Sequence, residues 1–267
     1  MIQISILGCG WLGLPLAKAL LEKGFLVKGS TTSEPKLPRL KDIGVAPFLI
    51  TLHADAISGD LVSFLENAQI LIIDIPPQLR GVEKENFVTK INTLLPFIER
   101  SSIKKVLFVS STSVYSDDNT TVTETTFAQP VSENGIQLLQ AEQLLQQNKA
   151  FLTTVVRFGG LIGADRHPIK SLAGRKNIEN PNGFINLIHQ KDCIGILLKI
   201  IEKEMWNETF NAVTPFHPTR KEYYTQKAID YDLPLPEFEA MHSNIGKKIS
   251  SEKVVQLLAY EFKVPYL

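Results

Sequence analysis

The chain has 267 residues and a mass of 29.8 kDa, and its 28 basic and 28 acidic side chains leave no formal net charge. Because no charge of one sign dominates, we expect neither nucleic acid nor a membrane surface as a partner. Two cysteines, Cys9 and Cys193, make no disulfide framework, and no apolar run reaches the roughly 20 residues of a membrane span. The composition predicts a cytoplasmic protein whose core needs neither disulfides nor a metal ion.

Short apolar runs alternate with helical patterns along the first two thirds of the chain, which is typical of a parallel sheet wrapped by helices. The predicted strands are 2–7, 25–29, 45–51, 69–75, 105–110, 152–157 and 209–213. The predicted helices are 12–23, 84–101, 137–147, 192–204, 219–230 and 251–260. The predicted fold class is therefore α/β, a doubly wound parallel sheet with a small carboxyl-terminal lobe.

The first predicted strand runs directly into a glycine-spaced turn, residues 8–13 (GCGWLG). In this arrangement the first glycine permits a tight turn, the second lets a diphosphate approach the backbone, and the third lets the next helix pack closely on the sheet. The amino-terminal amides of that helix would face the phosphates. A glycine-rich turn that binds nothing is the alternative. A strand, this spacing and a helix in succession favour a Rossmann dinucleotide site at Gly8, Gly10, Trp11, Leu12 and Gly13.

The end of the second predicted strand bears on the choice of dinucleotide. Folds that select NAD hold the ribose hydroxyls with an acidic residue about 20 positions past the glycines. Here that place has no carboxylate but three hydroxyl side chains, those of Ser30, Thr31 and Thr32. Hydroxyls can hydrogen-bond a 2′-phosphate, and Lys36 or Arg39 could supply positive charge. We therefore expect NADP in preference to NAD; the alternative is an ordinary helix-capping turn with loose selectivity.

The same patterns suggest a division of the chain into two parts. Pro76 and Ser110, near the ends of the fourth and fifth predicted strands, complete the predicted cofactor-binding residues. The dinucleotide-binding domain is predicted to comprise 1–158 and about 189–213, and the smaller substrate-binding lobe about 159–188 and 214–267.

Several later segments follow one another in a recognisable order. They are 108–116 (FVSSTSVYS), 156–163 (VRFGGLIG), 186–192 (NLIHQKD) and 210–212 (FNA). Together they resemble the extended short-chain dehydrogenases/reductases of the NAD-dependent epimerase/dehydratase class. The tail, 246–251 (GKKISS) and 259–265 (AYEFKVP), is similar to the YeeZ-like atypical subgroup of that class.

The resemblance implies three catalytic residues in the active members of the class. A Ser or Thr hydrogen-bonds the reacting oxygen, a Tyr transfers its proton, and the Lys of a YxxxK pair lowers the pKa of that Tyr. Ser111 matches the first of these. Aligning 140–142 with the family pattern puts Asn134 in the place of the Tyr and Leu138 in the place of the Lys. Because an amide can hydrogen-bond an oxygen but cannot act as acid or base, the usual proton relay is missing.

Other residues near these segments are candidates for the site. Tyr115 is the candidate for a stand-in acid, although the resemblance implies that this tyrosine mostly packs or lines the pocket. We expect His189 to have a structural role, and the five histidines show no metal-ligand spacing. The arginines suit an anionic substrate, with a solvated loop as the alternative. The predicted substrate-binding residues are Thr112, Asn134, Arg157, Arg166 and His167.

Two functions stay open from the sequence. The first is an NAD(P)-dependent oxidoreductase or epimerase-like enzyme that acts on a sugar nucleotide or another small carbonyl or hydroxyl compound, with Ser111 polarising the substrate. The second is a catalytically inactive NADP(H)-binding regulatory or sensor protein. The resemblance also implies a homodimer as one option, formed through the helix after the fourth strand and the helix at 137–147.

Overall fold

The computed structural model describes residues 1–77, 85–240 and 246–267. Within these ranges the strands are β1 (Gln3–Leu7), β2 (Leu26–Thr31), β3 (Ala46–Leu49), β4 (Thr51–Leu52), β5 (Ile57–Ser58), β6 (Ile70–Ile73), β7 (Lys105–Ser111), β8 (Thr121–Val122), β9 (Leu152–Phe158), β10 (Gly160–Ile162), β11 (Leu187–His189), β12 (Thr209–Ala212) and β13 (Lys248–Ile249). The helices are α1 (Gly13–Glu22), α2 (Leu37–Asp42), α3 (Leu61–Leu65), α4 (Phe87–Arg100), α5 (Glu133–Gln147), α6 (Ile169–Leu172), α7 (Gln190–Glu202), α8 (Arg220–Asp230) and α9 (Glu252–Leu258).

Seven strands form one parallel sheet in the order β12-β9-β7-β6-β1-β2-β3. The strand order reverses between β1 and β6, so the connections that follow these two strands leave the sheet in opposite directions. A crevice opens at the carboxyl ends of strands where this happens. The prediction of a doubly wound parallel α/β fold of the Rossmann type is confirmed.

The sheet is covered on both faces, which explains why its central strands are almost wholly apolar. One apolar layer joins Leu16 and Leu20 of α1 to Ile196 of α7. The other joins Leu94 of α4 to Ala141 of α5. All five of these side chains are fully buried, and burying a leucine or isoleucine contributes roughly 1.5–3 kcal/mol. The two layers fix the positions at which the strands end, and thus the position of the crevice.

Several boundaries differ from the sequence-based expectations for local reasons. Helix α5 begins at Glu133, four residues before the predicted start, because the Ser132 side chain accepts a hydrogen bond from the Gly135 N–H and caps the first turn. The predicted strand 45–51 is divided, since only β3 joins the sheet and β4 pairs with β5 in a hairpin. Helices α2, α3 and α6 were not predicted. The predicted start of α4, Lys84, lies outside the described residues.

The small lobe has its own apolar core, which includes Ile169 of α6, Leu187 of β11 and Tyr223 of α8. In the predicted division, 214–267 belongs to this lobe. The structure differs there, because α9 contacts β12 and α7 and so packs on the sheet body. None of the described helices is long and apolar enough to cross a membrane.

The carboxyl-terminal segment is fastened to the sheet body by one buried carboxylate, that of Asp192 on α7. It accepts hydrogen bonds from the Tyr260 hydroxyl at 2.9 Å, the Lys263 N–H at 2.7 Å and the Val264 N–H at 3.1 Å. A buried carboxylate needs such donors because water no longer solvates it. Asp192, the last residue of the 186–192 segment, therefore holds residues 260–264 against the sheet body.

Candidate functional site

The glycine turn lies at the crevice between β1 and β6. Gly8 has φ +108°, and a Cβ atom added to it would lie 2.3 Å from the Asp74 carbonyl oxygen. A Cβ atom on Gly13 would lie 2.2 Å from the Gly8 carbonyl oxygen. At Gly10, by contrast, an added Cβ atom would meet no atom within 4 Å. Gly8 and Gly13 are thus required by the fold itself, whereas the open space at Gly10 lets another molecule approach the backbone.

Ser30 braces this turn from the neighbouring strand. Its hydroxyl oxygen accepts a hydrogen bond from the Gly8 N–H at 3.0 Å, and its carbonyl oxygen accepts one from the Cys9 N–H at 2.7 Å. The side chain is buried, so at least one role of Ser30 is to hold the turn in shape. Leu12, at the start of α1, also has its side chain in the core. Neither role was foreseen from the sequence.

A cavity of about 360 Å³ follows the glycine turn and brings together several predicted cofactor-binding residues. A second cavity, of about 320 Å³, lies on the α1 side of the turn and is lined by Trp11, Lys36 and Arg39 among others. Lys36 borders both cavities. The predicted residues that line the first cavity are Gly8, Gly10, Ser30, Thr31, Thr32 and Pro76.

Asp74 places a carboxyl group in the first cavity, directly after β6. The Gly13 N–H donates a hydrogen bond to it, yet burial dominates and raises the pKa of this carboxyl group to about 8. The residue keeps partial solvent exposure at the cavity wall. The carboxyl group is therefore largely neutral at pH 7. Sequence reasoning missed Asp74, although a single acid at the end of a fully apolar strand was the available signal.

Cys9 lies within the turn but is not arranged for redox chemistry. Its sulfur packs against Gly29, where an added Cβ atom would lie 2.6 Å from Sγ, and Cys9 is buried. Burial is the main cause that raises the pKa of the thiol to about 12. A thiol in this state is a poor nucleophile, which agrees with the expectation that Cys9 is a packing residue.

The loop after β10 reaches back to the glycine turn through Trp11. The indole N–H of Trp11 donates to the Asp165 carboxylate at 2.8 Å, and the Arg166 guanidinium lies 5.1 Å from the centre of the indole ring. The Gln190 side chain donates to the Trp11 carbonyl oxygen at 2.7 Å. Arg166, predicted to bind substrate, thus lies beside the residues predicted to bind cofactor.

Ser111 ends β7, and the turn that follows it packs against the start of α5. The Ser111 hydroxyl oxygen accepts a hydrogen bond from the Ser113 N–H at 3.1 Å. A Cβ atom on Gly135 would lie 2.3 Å from the Ser113 carbonyl oxygen, so the first turn of α5 lies directly against this segment. Thr112, predicted to bind substrate, is buried.

Asn134 and Leu138 lie on that same helix, in the places of the missing Tyr and Lys. The side-chain oxygen of Asn134 is buried and has no hydrogen-bond partner among the described residues. Leu138 is buried in the apolar layer beneath the sheet. An acceptor that is buried without a donor costs free energy, and a ligand that donates a hydrogen bond would remove that cost. Asn134 is thus suited to bind a hydroxyl or amide group.

A buried network behind Ser111 holds three of the predicted site residues. The Arg157 guanidinium donates two hydrogen bonds of 3.1 Å and one of 2.5 Å to the Glu142 carboxylate, which also accepts from the Ser110 hydroxyl at 2.5 Å. Arg157 further donates to the Tyr115 hydroxyl oxygen at 2.6 Å, and Tyr115 donates to the Asn211 side chain at 3.0 Å. A buried carboxylate and guanidinium satisfy each other in this way.

This network corrects three expectations. The Tyr115 hydroxyl is buried and committed to its neighbours, and burial raises the pKa of its phenol despite the nearby Arg157. It is therefore badly placed to act as a stand-in acid. The Arg157 charge is matched by Glu142 and does not face an anionic substrate. The Ser110 hydroxyl points to Glu142. Glu142 is the residue that sequence reasoning missed; an acid at helical spacing from Leu138 and Leu145 was its signal.

His167, predicted to bind substrate, has a structural position in the small lobe. Its Nδ1 accepts from the Ile169 N–H at 3.1 Å, which leaves Nε2 protonated and able to donate to the Tyr223 hydroxyl at 2.8 Å. Burial lowers the pKa of His167 to about 4, so it is neutral at pH 7 and supplies no positive charge. His189 also has a structural role, since its Nδ1 caps α7 by accepting from the Lys191 N–H at 3.1 Å.

The seven-stranded order and the glycine turn at the crevice together define a Rossmann-type α/β protein. The chain is 30% identical over 267 residues to Protein YeeZ of Escherichia coli strain K12, which covers 99% of this chain and 97% of that one. The chain therefore belongs to the YeeZ family. A comparison with models of protein families gave no match.

Solved structures agree with this fold. A conserved protein of unknown function from Silicibacter pomeroyi DSS superposes with a TM-score of 0.79 at 21% identity, covering 100% of this chain and 95% of that chain. A UDP-glucuronic acid 4-epimerase from Bacillus cereus, in complex with NAD, superposes with a TM-score of 0.79 at 18% identity, covering 98% and 94%. At these identities the likeness concerns the fold.

Proposed function

We propose that this protein is an NAD(P)-dependent oxidoreductase or epimerase-like enzyme that acts on a small carbonyl or hydroxyl compound. The observation that carries the proposal is the crevice itself, where the glycine turn, the first cavity and the end of β7 lie at neighbouring strand ends. Solved structures of similar fold in complex with NAD, such as that of the Bacillus cereus epimerase, support a dinucleotide in this place. When bound, a nicotinamide dinucleotide supplies hydride transfer.

The residues of the turn fit the diphosphate of such a cofactor. The space at Gly10 admits phosphate oxygens to the backbone, and the amino terminus of α1, a helix of 10 residues, favours negative charge. Asp74 does not oppose this fit at pH 7, because its raised pKa keeps it largely neutral. Arg166, stacked on Trp11, adds positive charge beside the turn.

The end of β2 supports NADP as the preferred cofactor. Thr32, Lys36 and Arg39 are exposed there, and both cations border the second cavity. The first carboxylate after β2 is that of Glu34, three residues past its end, and it lines neither of the two cavities; an acid at the strand end itself would bind the ribose hydroxyls and repel a 2′-phosphate. We therefore expect Lys36 and Arg39 to bind that phosphate through charge-assisted hydrogen bonds.

Ser111 and Asn134 would orient the substrate oxygen. Ser111 can donate a hydrogen bond from its hydroxyl, and the unpartnered Asn134 oxygen can accept one from a substrate hydroxyl. Neither group takes up a proton at neutral pH, so the two would position the reacting group without serving as the base. The proton would pass to or from water or a group on the substrate.

The proposal is tested by cofactor binding and by turnover. We expect the purified protein to bind NADPH more tightly than NADH in fluorescence titrations, and to oxidise or reduce members of a panel of nucleotide sugars and small alcohols. Ser111→Ala should lower kcat by about 10-fold or more, as expected when a positioned donor is lost. Ser171→Ala, an exposed serine of the small lobe, is the matched control.

Two results would contradict the proposal. If neither NADPH nor NADH binds, the assignment of a nicotinamide dinucleotide as the cofactor is wrong. Tight binding with no turnover, together with activity created by the double change Asn134→Tyr and Leu138→Lys, would show that the natural protein binds the cofactor without catalysis.

A further inference from the structure

A polar cavity of about 690 Å³ lies apart from the glycine turn. Its wall is formed by the small lobe on one side and by the chain that follows Ser111 on the other. The described residues that line it include Asp117, Asn180, Phe184, Arg220 and Lys247. The cavity is large enough for a sugar-sized molecule, and such a polar lining suits a ligand rich in hydrogen-bonding groups.

Arg220 brings a positive charge to this cavity. Within 1–77, 85–240 and 246–267, its buried Nε atom has no hydrogen-bond partner and its guanidinium forms no ion pair. The guanidinium lies 5.9 Å from the centre of the Tyr224 ring, and the Arg220 backbone N–H donates to the Gly183 carbonyl oxygen at 2.8 Å. A planar guanidinium held in this way binds a carboxylate or phosphate group through paired hydrogen bonds.

Asn180 adds a fixed acceptor beside it. Its side-chain oxygen is buried without a hydrogen-bond partner among the described residues. The side chain lies against Gly183, where an added Cβ atom would come within 2.6 Å of Asn180 Nδ2. On the other side, a Cβ atom on Gly246 would lie 3.9 Å from Asn180 Nδ2 and 4.0 Å from an Asp117 carboxylate oxygen. Asn180 lines the cavity, and its unpartnered oxygen can accept a hydrogen bond from a hydroxyl group that reaches it.

The other charges of the cavity restrict the ligand. The Lys247 ammonium donates to the Tyr115 carbonyl oxygen at 2.7 Å and pairs with Asp117 at 3.3 Å, so its charge is matched. Carboxylates at Asp117, Glu179 and Glu239 line the cavity as well. They would repel a molecule with several negative charges, but they accept hydrogen bonds from hydroxyl groups. The lining therefore favours one anionic group on a molecule with several hydroxyls.

We propose that this cavity binds a polyhydroxylated anion, with Arg220 on its carboxylate or phosphate group and Asn180 on a hydroxyl. The inference rests on the proposed function, because it names the class of molecule on which that enzyme would act. Lys247 lines the cavity and donates to the Tyr115 carbonyl oxygen, four residues past Ser111, so the cavity borders the segment that carries Ser111.

The test is a calorimetric titration of the full chain with glucuronate, glucose 1-phosphate and glucose. We expect at least one of the two anions to bind, and glucose to bind about 10-fold more weakly or worse. Glucuronate and glucose 1-phosphate distinguish a carboxylate from a phosphate as the recognised group. Arg220→Gln should weaken anion binding by about 10-fold or more, and Asn180→Gly, which suits the φ of +54° at that position, by a smaller factor. Arg175→Gln, an exposed arginine of the same lobe, is the matched control.

The inference is overturned if neither anion binds, if glucose binds as tightly as the anions, or if Arg220→Gln leaves anion binding unchanged. Circular dichroism and Tm of each variant show whether it is folded. NADPH titration of the wild type separates the two proposals, since anion binding without NADPH binding contradicts only the proposed function. Should Arg220→Gln fail to fold, Arg220→Lys keeps the charge but loses the paired geometry. An intermediate loss of anion affinity is then expected, and wild-type affinity would refute the assignment.

Discussion

Replacing Asp74 with asparagine should stabilise the protein, and increasingly so as the pH rises from 5 to 8. The Asp74 carboxyl group has its pKa raised to about 8 in the folded protein, against an ordinary value of 3.8. Between these two values the folded state holds a proton that the unfolded state has released. The stabilising contribution of this group is therefore complete below pH 4 and is lost as the pH rises through 8. Asparagine keeps the shape and the acceptor for the Gly13 N–H but carries no charge.

The size of the effect follows from the linkage relation. Each pH unit between the two pKa values changes the free energy of unfolding by about 1.4 kcal/mol, so the difference between pH 5 and pH 7 has an upper bound near 2.7 kcal/mol. Because Asp74 keeps partial exposure at the cavity wall, solvent screens part of this, and we expect about 1–2 kcal/mol. At about 2–4 °C per kcal/mol, the advantage in Tm should grow by about 2–8 °C.

Thermal unfolding of both proteins at pH 5, 6 and 7 measures this growth. Asp55→Asn removes one exposed carboxylate from the same region and controls for the change in net charge. A Tm advantage that is the same at every pH, or an Asp74→Asn protein that is less stable throughout, would refute the reasoning. In the wild type, NADPH affinity should also fall above pH 8, when Asp74 ionises beside the proposed diphosphate site, and this fall should be absent in Asp74→Asn.

Three further predictions concern the anchor, the turn and the cofactor. Asp192→Ala should lower stability by about 3 kcal/mol, measured by urea unfolding, because three donors lose their charged acceptor; an unchanged midpoint would contradict this. Gly10→Ala should weaken NADPH binding with little change in Tm. Gly13→Ala should lower Tm, since only its added Cβ atom meets backbone atoms; equal Tm losses in the two variants would contradict this distinction. Lys36→Ala should lower NADPH affinity by about 10-fold and leave NADH affinity nearly unchanged, in paired titrations; equal losses would argue against a 2′-phosphate contact.

The parts of the site that the sequence could predict are those whose requirements are local. Gly8, Gly10 and Gly13 have their spacing because strand, turn and helix follow one another directly, so a short pattern carries the information. The serine segment at the end of β7 is also a short contiguous pattern, so it too can be recognised from the sequence. The absence of the Tyr–Lys pair was also readable, because Asn134 and Leu138 stand at a fixed interval from Ser111.

The roles that sequence reasoning missed depend on partners distant in the chain. Arg157 reads as an arginine suited to an anion, and only the packing of α5 against the sheet brings Glu142 to it. His167 is likewise predicted from the sequence to bind substrate. Only the fold brings Tyr223, 56 positions away, close enough to accept a hydrogen bond from its Nε2. Arg220 could not be recognised from sequence, because it lines its cavity together with residues from four separate segments.

The contact between Asp192 and residues 260–264 has a consequence for biosynthesis. The donors that satisfy this carboxylate belong to Tyr260, Lys263 and Val264, which lie 68, 71 and 72 positions after it in the chain. Until those residues have left the ribosome, α7 carries an acid that its apolar surroundings cannot solvate. A chain cut short before residue 260 lacks all three donors, so it should open more often, and be degraded faster, than a chain that contains them.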